Sequence, residues 1–309
     1  MRLLFQAYFL AIFFVMTVKG DGASPFCPKP YDKMMICNLM CNILQDSSSN
    51  DAMKMLQAKL ESLIAVLNKP GIAQKPGTLL QTKSDVHYVQ FHRSTKSQVY
   101  TLKFGSQKIP VYCHMGNFGC GDGGWTLAMK INGAKKTFHY NSGFWSNKNP
   151  YNLPGGKTGF DDQETKLPTY WNTSFSKICL GMKIGQQIKF IVINKNAASL
   201  HSLIADGKYR ATSLGRNTWK KLIGSQASLQ TNCNKEGFNA ASTRSIHAKA
   251  RIGILGNNER DCGNCDSRIG FGTGGHTDDS NTCGNNAVKG HTSDNGARNI
   301  KAMGYILVQ

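Results

Sequence analysis

Val111-Tyr112-Cys113-His114-Met115, followed a few residues on by Gly123-Gly124-Trp125-Thr126-Leu127, is the part of the chain that decides the fold. Around it, Ile109 to His114 and Trp125 to Lys130 are strand candidates. Just upstream, Tyr100, Leu102 and Phe104 alternate with Thr101 and Lys103, the period of a half-buried strand. Ile188 to Ile193 and Met303 to Val308 continue the pattern, while Pro168 to Ser176 and Trp219 to Ile223 look like short helices or turns. Short apolar alternations punctuated by Gly and Asn begin at about Thr78 and run to the last residue. Gly253 to Gly296 is so rich in Gly, Asn and Asp that it is expected to be mostly loop. A long loop inside a compact domain needs something to pin it; Cys262, Cys265 and Cys283 are candidates, as is a bound metal.

Working outward to the N-terminus, Arg2 precedes a stretch from Leu3 to Met16 that is apolar apart from Gln6, and Val18-Lys19-Gly20 offers a cleavage site. This is the anatomy of a secretory signal over residues 1–20, and the run is shorter than the roughly 20 residues of a spanning helix. The mature chain is therefore expected outside the cell without a membrane anchor. Residues 21–70 form a stalk carrying Cys27, Cys37 and Cys41. Within it Met53, Leu56, Leu60, Leu63 and Leu67 repeat at spacings of three and four, as in a short heptad seam or a single amphipathic helix. Pro70-Gly71 stops that pattern, and residues 71–77 read as a linker to a domain spanning 78–309.

Ten cysteines in an exported chain read as a disulfide framework: Cys27, Cys37, Cys41, Cys113, Cys120, Cys179, Cys233, Cys262, Cys265 and Cys283. Three fall in the stalk and seven in the domain. Both counts are odd, so full pairing requires a bridge from stalk to domain or from chain to chain, and a disulfide-linked homo-oligomer is one outcome. The formal net charge is +19; without Arg2 and Lys19, 35 basic side chains face 18 acidic ones. Such an excess favours polyanionic partners. The basic residues are scattered rather than blocked together with aromatics, and the chain is exported, which argues against nucleic acid. Sulfated glycans, acidic matrix proteins or a mineral surface fit the compartment.

The two motifs at residues 111–115 and 123–127 resemble the opening signature of fibrinogen C-terminal domains. Asn257-Asn258-Glu259-Arg260, the Gly-rich run from Ile269 to Gly275 and Cys283-Gly284 resemble the intelectin branch of that family. The whole chain, including Leu153-Pro154-Gly155-Gly156 and Trp171-Asn172-Thr173-Ser174-Phe175, is similar to skeletal organic matrix proteins of reef corals. The resemblance implies an α+β fold: a mixed sheet, short helices and a long disulfide-pinned Gly/Asn/Asp-rich loop region, after a short helical stalk. It also implies a non-enzymatic structural component of a biomineral-associated extracellular matrix. The alternative it offers is a calcium-dependent lectin of intelectin type. This chain departs from the family in lacking any cysteine between Cys41 and Cys113, so Cys113 is expected to pair elsewhere, with Cys120 or a stalk cysteine. It also lacks Trp, Tyr and Phe from Ala287 to Ile300, where the aromatic box of a sugar site is expected.

Calcium takes six to eight oxygen ligands. The expected carboxylate ligands are Asp266, Asp278 and Asp279, with Asp261, Asn264, Ser280 and Asn281 nearby; clustered Asp and Asn also serve simply as turn formers. Cys262-Gly263-Asn264-Cys265 lacks the helical setting of a redox pair, and zinc would need further ligands such as Cys283 with His276 or His291. Gly270-Phe271-Gly272-Thr273-Gly274-Gly275 satisfies GxGxxG, but polar loop follows it instead of a helix. No GxSxG or HExxH occurs, and catalysis is not expected. Asn172-Thr173-Ser174 is the one N-glycosylation sequon.

Overall fold

Alternation along the first hairpin sets the architecture. Gln98–Phe104 (β1) pairs antiparallel with Gln107–Met115 (β2), from Gln98 opposite Cys113 to Phe104 opposite Gln107. Leu102, Phe104, Ile109 and Val111 are thereby buried, while Thr101, Lys103 and Lys108 face water. The two-residue turn needs a left-handed first position, which Gly105 supplies at φ 60°. This computed structural model describes residues 96–288 and 293–309; the expected signal peptide, the stalk with Cys27, Cys37 and Cys41, and the linker lie outside the described residues.

From β2 the sheet continues through Gly124–Asn132 (β3), Met303–Val308 (β13), Phe175–Ile184 (β5) and Gln187–Ala197 (β6), with Thr165–Lys166 (β4) on the side of β3. A second sheet runs in the order Arg298–Lys301 (β12), Cys283–Ala287 (β11), Ser267–Gly274 (β10), Lys249–Asn257 (β9), Asn232–Ala241 (β8) and Arg210–Ala211 (β7). Among the described residues every pairing is antiparallel, which corrects the expected mixed sheet. Parallel neighbours need crossovers of a dozen or more residues, usually helical. The helices here are too short for that: Thr169–Asn172 (α1), Leu200–Ile204 (α2) and Arg216–Lys221 (α3). Among the described residues no helix is long and apolar enough to cross a membrane.

The first sheet is buried on both faces. Trp125, Leu127, Tyr305 and Leu307 pack with Leu102 and Val111 on one side. Ile131, Ile178, Leu180, Ile306 and Val308 face the other, where they meet Trp145 and Trp219 and the second sheet's Phe238, Ile252, Ile254, Ile269 and Phe271. That is why β13 reads as a continuous apolar run, all six residues buried.

The Gly-rich region departs most from expectation. Instead of loop, 267–274 is a fully buried central strand, flanked by the wholly buried β11. Its glycines sit where backbone meets backbone. A Cβ on Gly270 would lie 2.5 Å from the Ile252 carbonyl and 2.9 Å from the Gly253 Cα; one on Gly272 would enter the Trp145 indole. Residues without side chains leave no apolar periodicity to read, yet they let β10 lie close against β9 and against the Trp145 indole.

The cysteine pairing differs too. Cys120 is bonded to Cys179 and Cys233 to Cys262, while Cys113, Cys265 and Cys283 are buried thiols. Cys113 does not join Cys120. It sits opposite Thr126 in the β2–β3 ladder, while Cys120, in the connection after β2, reaches across to β5 and lies beside the Ile191 carbonyl of β6.

Candidate metal and ligand site

Three connections of the second sheet converge: 242–248 between β8 and β9, 258–266 between β9 and β10, and 275–282 between β10 and β11. Backbone hydrogen bonds stitch them together. Thr243 N donates to the Cys262 carbonyl, Arg244 N to Gly263, Ala248 N to Cys265, and His276 N to Ile246 at 2.7 Å. Gly275 has φ 85°, and any Cβ there would collide with the backbone carbonyl of His247, so the closeness of the first and third connections depends on it.

Arg268 holds the third connection from beneath. Its guanidinium, fully buried in β10, donates to the carbonyls of Gly275 (3.1 Å), His276 (3.0 Å), Asp278 (2.5 Å) and Asn281 (3.3 Å). Burial lowers its pKa to about 10. Sequence reading missed this residue, because a lone Arg between Ser and Ile carries no signal that its partners are carbonyls several residues downstream.

The expected carboxylate ligands occupy separate networks. Asp266 is buried; its Oδ1 lies 3.1 Å from His247 Nδ1 and 3.5 Å from His276 Nδ1. Asp278 Oδ1 accepts from Ser280 N and Oγ, and its Oδ2 from Asn299 Nδ2 at 2.6 Å. Burial pushes this carboxyl up, but those hydrogen bonds and Lys301 outweigh it and bring it down to about 2. Asp279 Oδ1 accepts from Gly275 N at 2.6 Å and meets His139 Nε2 at 2.9 Å. Burial again raises and these partners more than offset it, leaving Asp279 below the usual carboxylate range. Among the described residues neither Asp278 nor Asp279 joins a cluster of three ligand-type His, Cys, Asp or Glu side chains.

A shallow depression of about 360 Å³ opens beside Asp278, lined by Thr277, Asn286, Arg298 and Asn299 and by no aromatic ring. The zinc set containing Cys262 and Cys283 is not assembled, since Cys262 is bonded and Cys283 is buried in the core of the two sheets. Asn172, at the end of α1, is exposed despite its aromatic neighbours, so the sequon asparagine is reachable.

Fold and site together define a disulfide-bonded, two-sheet antiparallel β domain with a stitched cluster of polar loops on its second sheet. Comparison with protein-family models, with curated proteins and with solved structures returns no match for this chain.

Proposed function

We propose that the chain is a secreted, non-enzymatic structural component of an extracellular, biomineral-associated matrix. On this reading it is built on a fibrinogen C-terminal-like domain, holds polyanionic partners, and is joined into homo-oligomers through its stalk cysteines. The observation that carries the proposal is how charge is sorted between inside and outside. Several carboxylates are spent within the domain. Glu236 is buried and accepts from Trp219, Thr212, Leu214 and Gly215; Glu164 is buried against Asn132 and Thr137; Asp161 holds the buried Lys130; Asp294 clasps Arg216 and Lys220. Many lysines are left outside, although Lys130 and Lys166 are buried. Lys103, Lys108, Lys135, Lys136, Lys148 and Lys157 are exposed and belong to no ion pair among the described residues. Such a surface attracts sulfated glycans, acidic proteins or mineral through its summed field.

The test is recovery from demineralised matrix. The protein should stay with the acidic polymer fraction and leave it in high salt; free protein in the first low-salt wash would refute the matrix role. A calcium-dependent lectin is the second reading, favoured by the shallow depression beside Asp278, where Thr277, Asn286 and Asn299 supply side-chain oxygens alongside the apolar Ala287, Val288 and Ala297. Glycan binding abolished by chelator would promote it over the first.

A further inference from the structure

From the loop cluster we infer that His247, Asp266 and His276 form a binding site for a divalent transition metal of the zinc class, distinct in chemistry from an all-oxygen calcium site. The case starts from distances. Zinc binds imidazole nitrogen and carboxylate oxygen at about 2.0–2.1 Å in a tetrahedron, so two neighbouring donors stand about 3.3–3.4 Å apart. Asp266 Oδ1 is 3.1 Å from His247 Nδ1 and 3.5 Å from His276 Nδ1, which brackets that edge. All three donor atoms lie within 4.8 Å of one another. The two rings stand 5.7 Å apart at 60°, so both can aim their Nδ1 atoms at one point without stacking.

Donor type then selects the metal. Calcium and magnesium are hard cations served by oxygen, whereas two imidazoles and one carboxylate suit zinc and its first-row neighbours. One carboxylate against a divalent ion also leaves a net positive centre, consistent with a site that keeps room for a further ligand. The exposure gradient places that room: the Asp266 side chain is 11% exposed and that of His276 53%. The fourth position faces solvent on the His276 side, where water or an incoming carboxylate, phosphate or sulfate group can enter.

The surroundings hold the donors where the metal needs them. His276 N is tied to the Ile246 carbonyl and His247 N to the Arg244 carbonyl, while Asp266 N donates to the buried Gln230 Oε1 at 3.1 Å. Arg268 fixes the Gly275 and His276 carbonyls from below. Each ligand is thus anchored through its own backbone, and a metal would find little left to order.

The experiment is titration of the full secreted chain, stripped with chelator, with cobalt(II) alone as a visible probe and then with zinc(II). One equivalent of cobalt should give the intense d–d absorption of a four-coordinate ion. Zinc should displace it, and a large excess of calcium should not. His276→Gln changes an exposed side chain and should leave the fold intact. It should weaken binding at least tenfold, as should His247→Gln, and Asp266→Asn should abolish the absorption. If Asp266→Asn fails to fold, the two histidine variants still decide. Absence of a four-coordinate spectrum, cobalt released by calcium, or binding unchanged in both histidine variants would overturn the site.

Discussion

Glu236→Gln is the substitution whose consequence follows most closely from the geometry. The Glu236 carboxylate is 9% exposed and accepts four hydrogen bonds: Trp219 Nε1 (2.7 Å), Thr212 Oγ1 (2.8 Å) and Leu214 N (3.0 Å) on Oε2, and Gly215 N (2.8 Å) on Oε1. It thereby ties β8 to the entry of α3, whose Trp219 is wholly buried between the sheets. An amide has only one oxygen. In its better orientation glutamine keeps the three donors on the Oε2 side and turns an NH₂ towards the N–H of Gly215. Leaving that donor unpaired costs about 1–3 kcal/mol. The other three bonds lose their charge assistance, about 1 kcal/mol each, offset in part because a charge no longer has to be buried. The net loss is about 2–4 kcal/mol, or roughly 5–15 °C in Tm for a domain of this size. Leucine would leave all four donors unpaired and should cost more. Thermal unfolding followed by tryptophan fluorescence measures both. A shift below about 2 °C for glutamine, or leucine milder than glutamine, would mean that the four hydrogen bonds to Glu236 do not hold β8 to α3.

The same carboxylate sets a pH dependence. Burial raises its pKa, but bonds from Trp219, Thr212, Gly215 and Leu214 more than offset that, so it lies below the ordinary glutamate value. A depressed folded pKa gives stability that is full above the unfolded pKa of about 4.3 and is lost as pH falls through the folded value; wild type should lose this increment on acidification and Glu236→Gln should not. Gly270→Ala should cost about 1–3 kcal/mol, towards the upper end because the colliding atoms are Ile252 and Gly253 backbone; a neutral result in denaturant unfolding would contradict the close approach of β9 and β10. Cys113, Cys265 and Cys283 should resist alkylation in the native protein and react once unfolded without reductant, whereas Cys120, Cys179, Cys233 and Cys262 should need reduction first. Mass mapping reads this directly, and for Cys113 burial reinforces it by pushing the thiol up to about 12.

Strands with side chains to bury were legible in the sequence. Tyr100 to Phe104, Ile109 to His114, Trp125 to Lys130, Ile188 to Ile193 and Met303 to Val308 all lie within strands of the first sheet, because one face of each alternation, or the whole of Trp125 to Lys130 and of Met303 to Val308, enters a core. The second sheet was not legible. At Gly253, Gly270 and Gly272 the packing partner is backbone or a distant indole, and glycine shows no hydrophobic pattern to announce either. Trp219 to Ile223 read as a short helix or turn, but nothing marked Glu236 as the partner of Trp219, since a single Glu in a polar stretch ordinarily reads as solvated. At the candidate site Asp266 was picked out as a calcium ligand and His276 only as a partner for a cysteine zinc set, and nothing in the sequence joined the two to each other or to His247. His247 and His276 are far apart in the sequence and meet only because the turns after β8 and β10 are stitched to each other through Ile246 and His276.

Polyanion binding by this surface is measured by affinity for a sulfated glycan such as heparin from low salt to 1 M. Screening shortens from about 10 Å at 0.1 M to about 3 Å at 1 M, so binding through exposed lysines must fall steeply over that range. Binding should be tight at low salt, lost at high salt, and much weaker throughout for Lys103→Glu, Lys108→Glu, Lys135→Glu, Lys136→Glu combined. Binding that ignores salt, no binding at low salt, or a quadruple variant that binds as wild type would contradict it.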